Sequence, residues 1–188
     1  EKNIPDFIKQ MQATSRFIIF WSFPLTALLV ILRAQIVRVM LGTGVFDWDA
    51  TRLVAAALAL FIISSVFQSL LLLLMRGFYS AGVTQKPFYW NLLSTAILGV
   101  STYGLVKLYY TSSLFQYFIT SIMKVADLPN SAVLMLPLGF SVGTLINGLI
   151  LWWAFEREFP GYSKDLWKVW FESIGASVIM GAVAYFGL

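Results

Sequence analysis

The sequence predicts an all-α fold, a polytopic membrane helix bundle of about five transmembrane helices, and three observations predict it. Apolar residues make up 59% of the 188-residue chain against 12% charged ones, with a mean hydropathy of +0.80, which is more apolar side chain than a soluble domain of that length can hide. The charges are segregated: Phe17 to Leu32, Leu53 to Met75, Phe88 to Val106, Leu128 to Phe155 and Ser173 to Leu188 carry none. About 20 residues rising 1.5 Å each cross a hydrocarbon core of ~30 Å, so the middle three runs span unaided and the outer two span once their charged flanks snorkel. Finally, turn-forming residues punctuate the junctions between the expected helices, at Gly42, Gly44 and Asp47 to Asp49, Gly82 to Pro87, Pro129–Asn130 and Pro160–Gly161.

Taken in order, the first helix is expected over 17–41, ending at Gly42 and Gly44, and the second over 51–79, where Asp47 and Asp49 stand at its start as capping residues. Gly82 to Pro87 separates it from a third helix over 88–110. Pro129 and Asn130 introduce a fourth over 131–155, and Pro160 and Gly161 a fifth over 166–188. The whole of 1–188 reads as a single membrane domain. The stretch 111–130 has an apolar face through Phe115, Phe118, Ile119, Ile122 and Met123 that is too short to cross; it extends the third helix or lies flat at the surface.

Lysine and arginine in alternating connections set the orientation. Lys2, Lys9, Arg16, Arg76, Lys86, Arg157, Lys164 and Lys168 fall on one side and Arg52, Lys107 and Lys124 on the other. The bias places the amino end in the cytoplasm and, after an odd number of spans, the carboxyl end outside. Trp152, Trp153, Trp167 and Trp170 mark the cytoplasmic interface as an aromatic belt. The polar opening, Glu1 to Arg16, is no signal peptide, and both ends read as cut from something longer.

Several function classes are excluded. The basic residues are scattered, so the net charge of +4 does not point to nucleic acid. With neither cysteine nor histidine, disulfides, thiol nucleophiles and the usual zinc sites are out. No carboxylate pair, nucleophile set or glycine-rich phosphate loop stands in the spans, so no enzyme chemistry, metal or cofactor is expected.

Ionisable residues at membrane depth are costly, by about 2.5–3.5 kcal/mol at mid-helix, and these are the candidates that remain. Arg33 lies some eight residues, roughly 12 Å, before the end of the first helix. A turn of about 100° per residue puts Ser22, Thr26 and Arg33 in one stripe, fit to line a hydrophilic cavity and offer a guanidinium fork to a phosphate or carboxylate; otherwise Arg33 snorkels to head groups. Arg38 sits about 140° further round, too far for a shared clamp without a kink, and reads as snorkelling. Glu172 follows Lys168 by four residues and reads as its ion-pair partner. Gly139, Gly143 and Asn147 recur every four residues on the fourth helix, as do Ser173, Ser177 and Gly181 on the fifth, marking faces where helix backbones approach closely; Asn147 reads as an interhelical hydrogen bond in that stripe, a cavity-facing position being the alternative.

A resemblance runs through Phe23-Pro24-Leu25, then Gly44-Val45-Phe46-Asp47, then Arg76 to Pro87 (RGFYSAGVTQKP), with Gly139 to Trp153 further on. In this ordered set the chain resembles the MurJ (MviN) lipid II flippase family, within the multidrug and oligosaccharidyl-lipid exporter superfamily. The resemblance implies a two-lobe transporter of about fourteen spans, this chain being similar to spans nine to thirteen of the second lobe. Its implied role is moving a polyprenyl-pyrophosphate-linked sugar precursor of peptidoglycan across the bacterial cytoplasmic membrane by alternating access. The implied partners are membrane lipid, that substrate, and the remainder of the same polypeptide, first lobe and last helix. The family's principal substrate residues lie in those other parts. The fifth helix matches a span that helps form the polyprenyl-tail groove, and the apolar face of Ile174, Val178 and Val183 is compatible with that. The segment from Lys107 to Asn130 is longer and more aromatic than the family's usual connection, and Arg33 stands where uncharged residues are common. A polysaccharide-repeat flippase or drug exporter of the superfamily, or a membrane scaffold that kept the fold without transport, are the alternatives.

Overall fold

A computed structural model describes residues 4–41, 47–128, 131–164 and 166–187. These are all-helical, with five helices long and apolar enough to cross a membrane. In order they are α1 (Ile4–Ile31) and its continuation α2 (Arg33–Leu41), α3 (Trp48–Ser80), α4 (Gln85–Thr111), the short α5 (Ser113–Met123), a 3-10 turn (Ser131–Leu134) leading into α6 (Met135–Glu158), and α7 (Leu166–Phe186). Gly42, Gly44, Val45, Phe46, Pro129, Asn130, Lys2 and Leu188 lie outside the described residues.

The first helix differs from its sequence expectation at both ends. It starts at Ile4 rather than near Phe17, because the amphipathic opening packs Met11, Ser15 and Ile19 inward and so continues the same helix. An irregularity at Leu32 divides α1 from α2, although Leu32 N–H still donates to Leu28 (2.9 Å) and Ile36 N–H to Leu32 (2.9 Å). α3 and α4 each start three residues earlier and end one residue later than expected, α6 starts four residues later, after the 3-10 turn, and ends three later, and α7 starts as expected and ends at Phe186.

Within the stretch 111–130, residues 112–128 form a separate segment around α5, not an extension of α4. Ser112 leaves helical geometry (φ −115°, ψ 106°) and its hydroxyl caps α5 by accepting from Phe115 N–H. The segment begins and ends at one end of the bundle: the Tyr109 and Ser131 hydroxyls meet at 2.8 Å, and Asp127 reaches the first turns of α3. It therefore does not cross.

The helices stand in a curved row in the order α4, α6, α3, α1, α7, with α3 and α6 running opposite to the other three. Close approach makes the row. A Cβ on Gly139 would come within 2.6 Å of the Thr102 Cα, and one on Gly143 within 2.9 Å of the Leu98 Cα, so α6 lies backbone to backbone against α4. Ser101 donates to the Gly139 carbonyl across that seam (3.2 Å). On its other side α6 sets Gly148 against Phe67 of α3 and donates from Ser141 to the Leu60 carbonyl (2.6 Å). Ser173, Ser177 and Gly181 turn α7 toward α1: both serines are buried, and Gly181 faces Ile31 and Ala27. The Ser173 hydroxyl is buried without a hydrogen-bond partner.

At the end where α1 and α7 begin, the α6–α7 connection is fastened from both sides. Glu156 accepts from the backbone of Gly161 (2.9 Å) and Ser163 (2.7 Å) and from the Ser163 hydroxyl. Gln12 of α1 donates to the Gly161 and Tyr162 carbonyls (2.9 and 3.0 Å). Tyr162 is fully buried between Trp152 and Phe155, its hydroxyl 2.5 Å from Ser15. Burial pushes that phenol up to about 12, with the Glu156 charge adding to the rise and the Ser15 bond opposing it. Trp152 and Trp170 pack inside this cluster, whereas Trp153 and Trp167 are exposed.

Two outcomes follow. Gly139→Ala should cost about 1–3 kcal/mol, because backbone rather than a flexible side chain blocks the new methyl, while Gly99→Ala, with open space around it, should be neutral or slightly stabilising; melting of the detergent-solubilised chain reads both. Tyr162 is held neutral by the fold, so its contribution is fully present below the ordinary phenol value near 10 and is lost as pH rises through about 12. The melting temperature should fall across that window, and Tyr162→Phe should remove that fall.

Candidate functional site

The described residues bring four cations to one cavity of about 270 Å³ at the end opposite the Tyr162 cluster. Arg33 and Arg38 of α2, Arg52 of α3 and Lys124 at the end of α5 line it, with Trp48 and Thr51 among the remaining wall, and no described lining residue is a carboxylate. The sequence reading missed this gathering. It kept Arg33 and Arg38 apart by their angle on the helix, but the cavity curls round α2, walled by the start of α3 and the end of α5, and reaches both. The available signal was that Arg33, Arg38 and Arg52 flank one helix-to-helix turn and so must share an end of the bundle.

Each cation is held differently. Arg52 is fixed as a wall: its guanidinium donates to both Asp127 carboxylate oxygens (2.7 and 2.9 Å) and to the Lys124 carbonyl, with Asp49 at 4.0 Å. Its hydrogen bonds, followed by a backbone bond, hold the Asp127 carboxyl below the usual carboxylate range. Arg38 lies over the Trp48 ring, its guanidinium carbon 5.5 Å from the ring centroid, within cation–π range. Asp47 caps α3 by accepting from Trp48 N–H (2.7 Å), which seats that ring. Arg33 is half-buried, with no partner among the described residues. Lys124 adopts a left-handed backbone (φ 57°) as it terminates α5, a conformation that normally falls to glycine.

The Ser22, Thr26 and Arg33 stripe divides. Thr26 faces Ser65 of α3 at 3.4 Å and Ser22 is half-buried on α1; of the three, Arg33 alone borders the cavity. On α6, Gly139 and Gly143 pack as described, but Asn147 borders a second cavity of about 350 Å³ with Gln68 and Asn91, because α4 and α6 splay beyond their glycine contact. A Lys86–Glu158 ion pair closes that cleft at its far end. Ile174, Val178 and Val183 of α7 are exposed, away from the α1 contact. Lys168 and Glu172 stand 3.8 Å apart on the surface of α7.

Five helices long and apolar enough to span, joined along small-residue seams, define a polytopic membrane helix bundle. The sequence model of the lipid II flippase MurJ matches residues 1–114, more than half of the chain. The chain belongs to the MurJ lipid II flippase family, a family of transporters rather than enzymes. No curated protein and no solved structure gives a match.

The Arg52–Asp127 pair ties α3 to the segment after α5. Because the Asp127 carboxyl titrates below its ordinary value near 3.9, the pair's contribution is present above that value and lost as pH falls through the folded one. Asp127→Asn should lower the melting temperature at pH 7, flatten its decline toward pH 3, and speed amide exchange over 113–128.

Proposed function

We propose that the chain forms part of a flippase that carries a polyprenyl-pyrophosphate-linked peptidoglycan precursor across the cytoplasmic membrane by alternating access. The carrying observation is the family match over residues 1–114. The row supports it: α4 and α7 stand at its two ends, packed mainly on α6 and α1 respectively, which leaves their outer faces to meet other parts of a two-lobe transporter. On this reading residues 1–188 are one membrane unit, spans nine to thirteen of the second lobe, and the rest of the polypeptide supplies the first lobe and last helix.

The roles follow from placement. No covalent bond changes; the polar head crosses through the space between lobes while its tail stays in lipid. Ile174, Val178 and Val183 present an unpacked apolar face for the tail. Arg33 is the residue of this chain placed to meet the anionic head, since a half-buried guanidinium without a partner is stabilised by an arriving anion. The end with Lys9, Arg16, Arg76, Lys86, Arg157, Lys164 and Lys168 faces the cytoplasm by the positive-inside rule, and the Arg33 cavity faces outward.

Depleting the full-length protein should accumulate the lipid-linked precursor, with a known flippase restoring normal levels; unchanged levels would favour a scaffold. In the same cells Arg33→Ala should reduce transport by about tenfold, the scale of one charge-assisted hydrogen bond, and Arg33→Lys should recover part of it. Wild-type growth of both variants would remove Arg33 from the transport path.

A further inference from the structure

We infer that the cavity among Arg33, Arg38, Arg52 and Lys124 is a binding site for one phosphate group, carried by an anionic lipid head group or free in solution. This goes beyond the transport reading, because such a ligand would bind whether or not the chain moves a substrate.

The lining is cationic, and the two carboxylates that reach it, Asp127 and Asp49, both stand against Arg52. Arg33, Arg38 and Lys124 are left facing a common space with no acid among its described lining. Like charges gathered at this range repel, so the arrangement is stabilised by an anion. Two guanidinium forks and an ammonium suit a phosphate, which accepts several hydrogen bonds at once, better than a carboxylate, which a single fork satisfies. Arg38 is held beside this space by Trp48, over whose ring its guanidinium lies at 5.5 Å.

The backbone supplies an independent observation. Lys124 holds the left-handed position at the end of α5, where Val125 N–H bonds back to Thr120 (2.9 Å) in the manner of a glycine stop. A side chain there is strained where glycine would not be. The residue that bears this strain is a lysine bordering the cavity, so a stability cost coincides with a charge. Position completes the case: Arg52 and Trp48 lie in the first turns of α3, the depth at which a spanning helix meets lipid phosphates.

The test uses the full chain in phosphatidylcholine nanodiscs. In one arm inorganic phosphate and diphosphate are titrated against melting temperature; in the other about a fifth of the lipid is replaced by phosphatidylglycerol and retained lipid is counted by native mass spectrometry. A ligand that binds only the folded state raises the melting temperature with concentration. A rise of several degrees with soluble anion assigns a free phosphate; a rise with phosphatidylglycerol alone, with lipid surviving in the spectrum, assigns a head group. In either case the double change Arg33→Gln and Arg38→Gln should weaken binding at least tenfold, while Lys168→Gln, at the other end, should not. Lys124→Gly separates binding from folding, since it should raise the unliganded melting temperature and yet weaken the anion's effect. No rise in either arm, or a rise that survives the double change or falls equally with Lys168→Gln, overturns the site.

Discussion

The backbone contact between α6 and α4 at Gly139 and Gly143 is the constraint from which the rest of the architecture follows. In lipid, apolar side chains gain nothing by leaving the solvent for a neighbouring helix, so helices associate through close packing and hydrogen bonds. Replacing hydrogen by methyl at either glycine puts carbon within 3 Å of the opposing main chain, so no rotamer change relieves it. With one face of α6 held this way, its Ser141 and Gly148 are delivered to α3. Because α3 runs parallel to α6, the starts of both helices meet at one end of the bundle and their finishes at the other.

That pairing makes the two ends unlike. At one, Phe78, Phe155, Phe159 and Tyr162 interlock, and α1 reaches across through Gln12 and Ser15 to the α6–α7 connection. At the other, closure rests on α5 and the residues after it, joined to α3 through the exposed Arg52–Asp127 pair and to α4 through Tyr109 and Ser131. Exposed ion pairs contribute little, whereas interlocked rings contribute area and geometry together. Opening is therefore cheaper at the cationic end.

The spans were legible because hydropathy along a membrane chain is a nearly local property: uncharged runs of sufficient length and the residues between them locate helices without knowledge of partners. The glycine and serine seams were legible for the same reason, since spacing alone puts Gly139 and Gly143 on one line. What escaped the sequence was set by packing. Glu1 to Arg16 read as polar, and only the burial of Met11 and Ser15 against α3 and the α6–α7 connection makes most of it the first turns of a long helix. Asn147 continued a four-residue stripe, yet the splay of α4 from α6 leaves it on a cavity rather than in the seam. The angle between Arg33 and Arg38 was correct and still misleading, because it described one helix while the cavity is made by three elements.

Arg33, Arg38 and Lys124 are also where local preference and the fold disagree most. Three cations share a wall, one guanidinium is half-buried without a partner, and a lysine occupies a glycine conformation. Natural sequences tend to keep local and global preferences consistent, and departures concentrate where something other than stability is selected. At the aromatic end the buried Tyr162 hydroxyl has Ser15, the Glu156 carboxylate has three donors, and the Trp152 N–H has Ser163 (2.8 Å). At the cationic end Asp127 and Asp49 both stand against Arg52, and no carboxylate is among the described residues that line the cavity with Arg33, Arg38 and Lys124. Cations facing a common space at head-group depth are an arrangement that an anion from outside the chain completes.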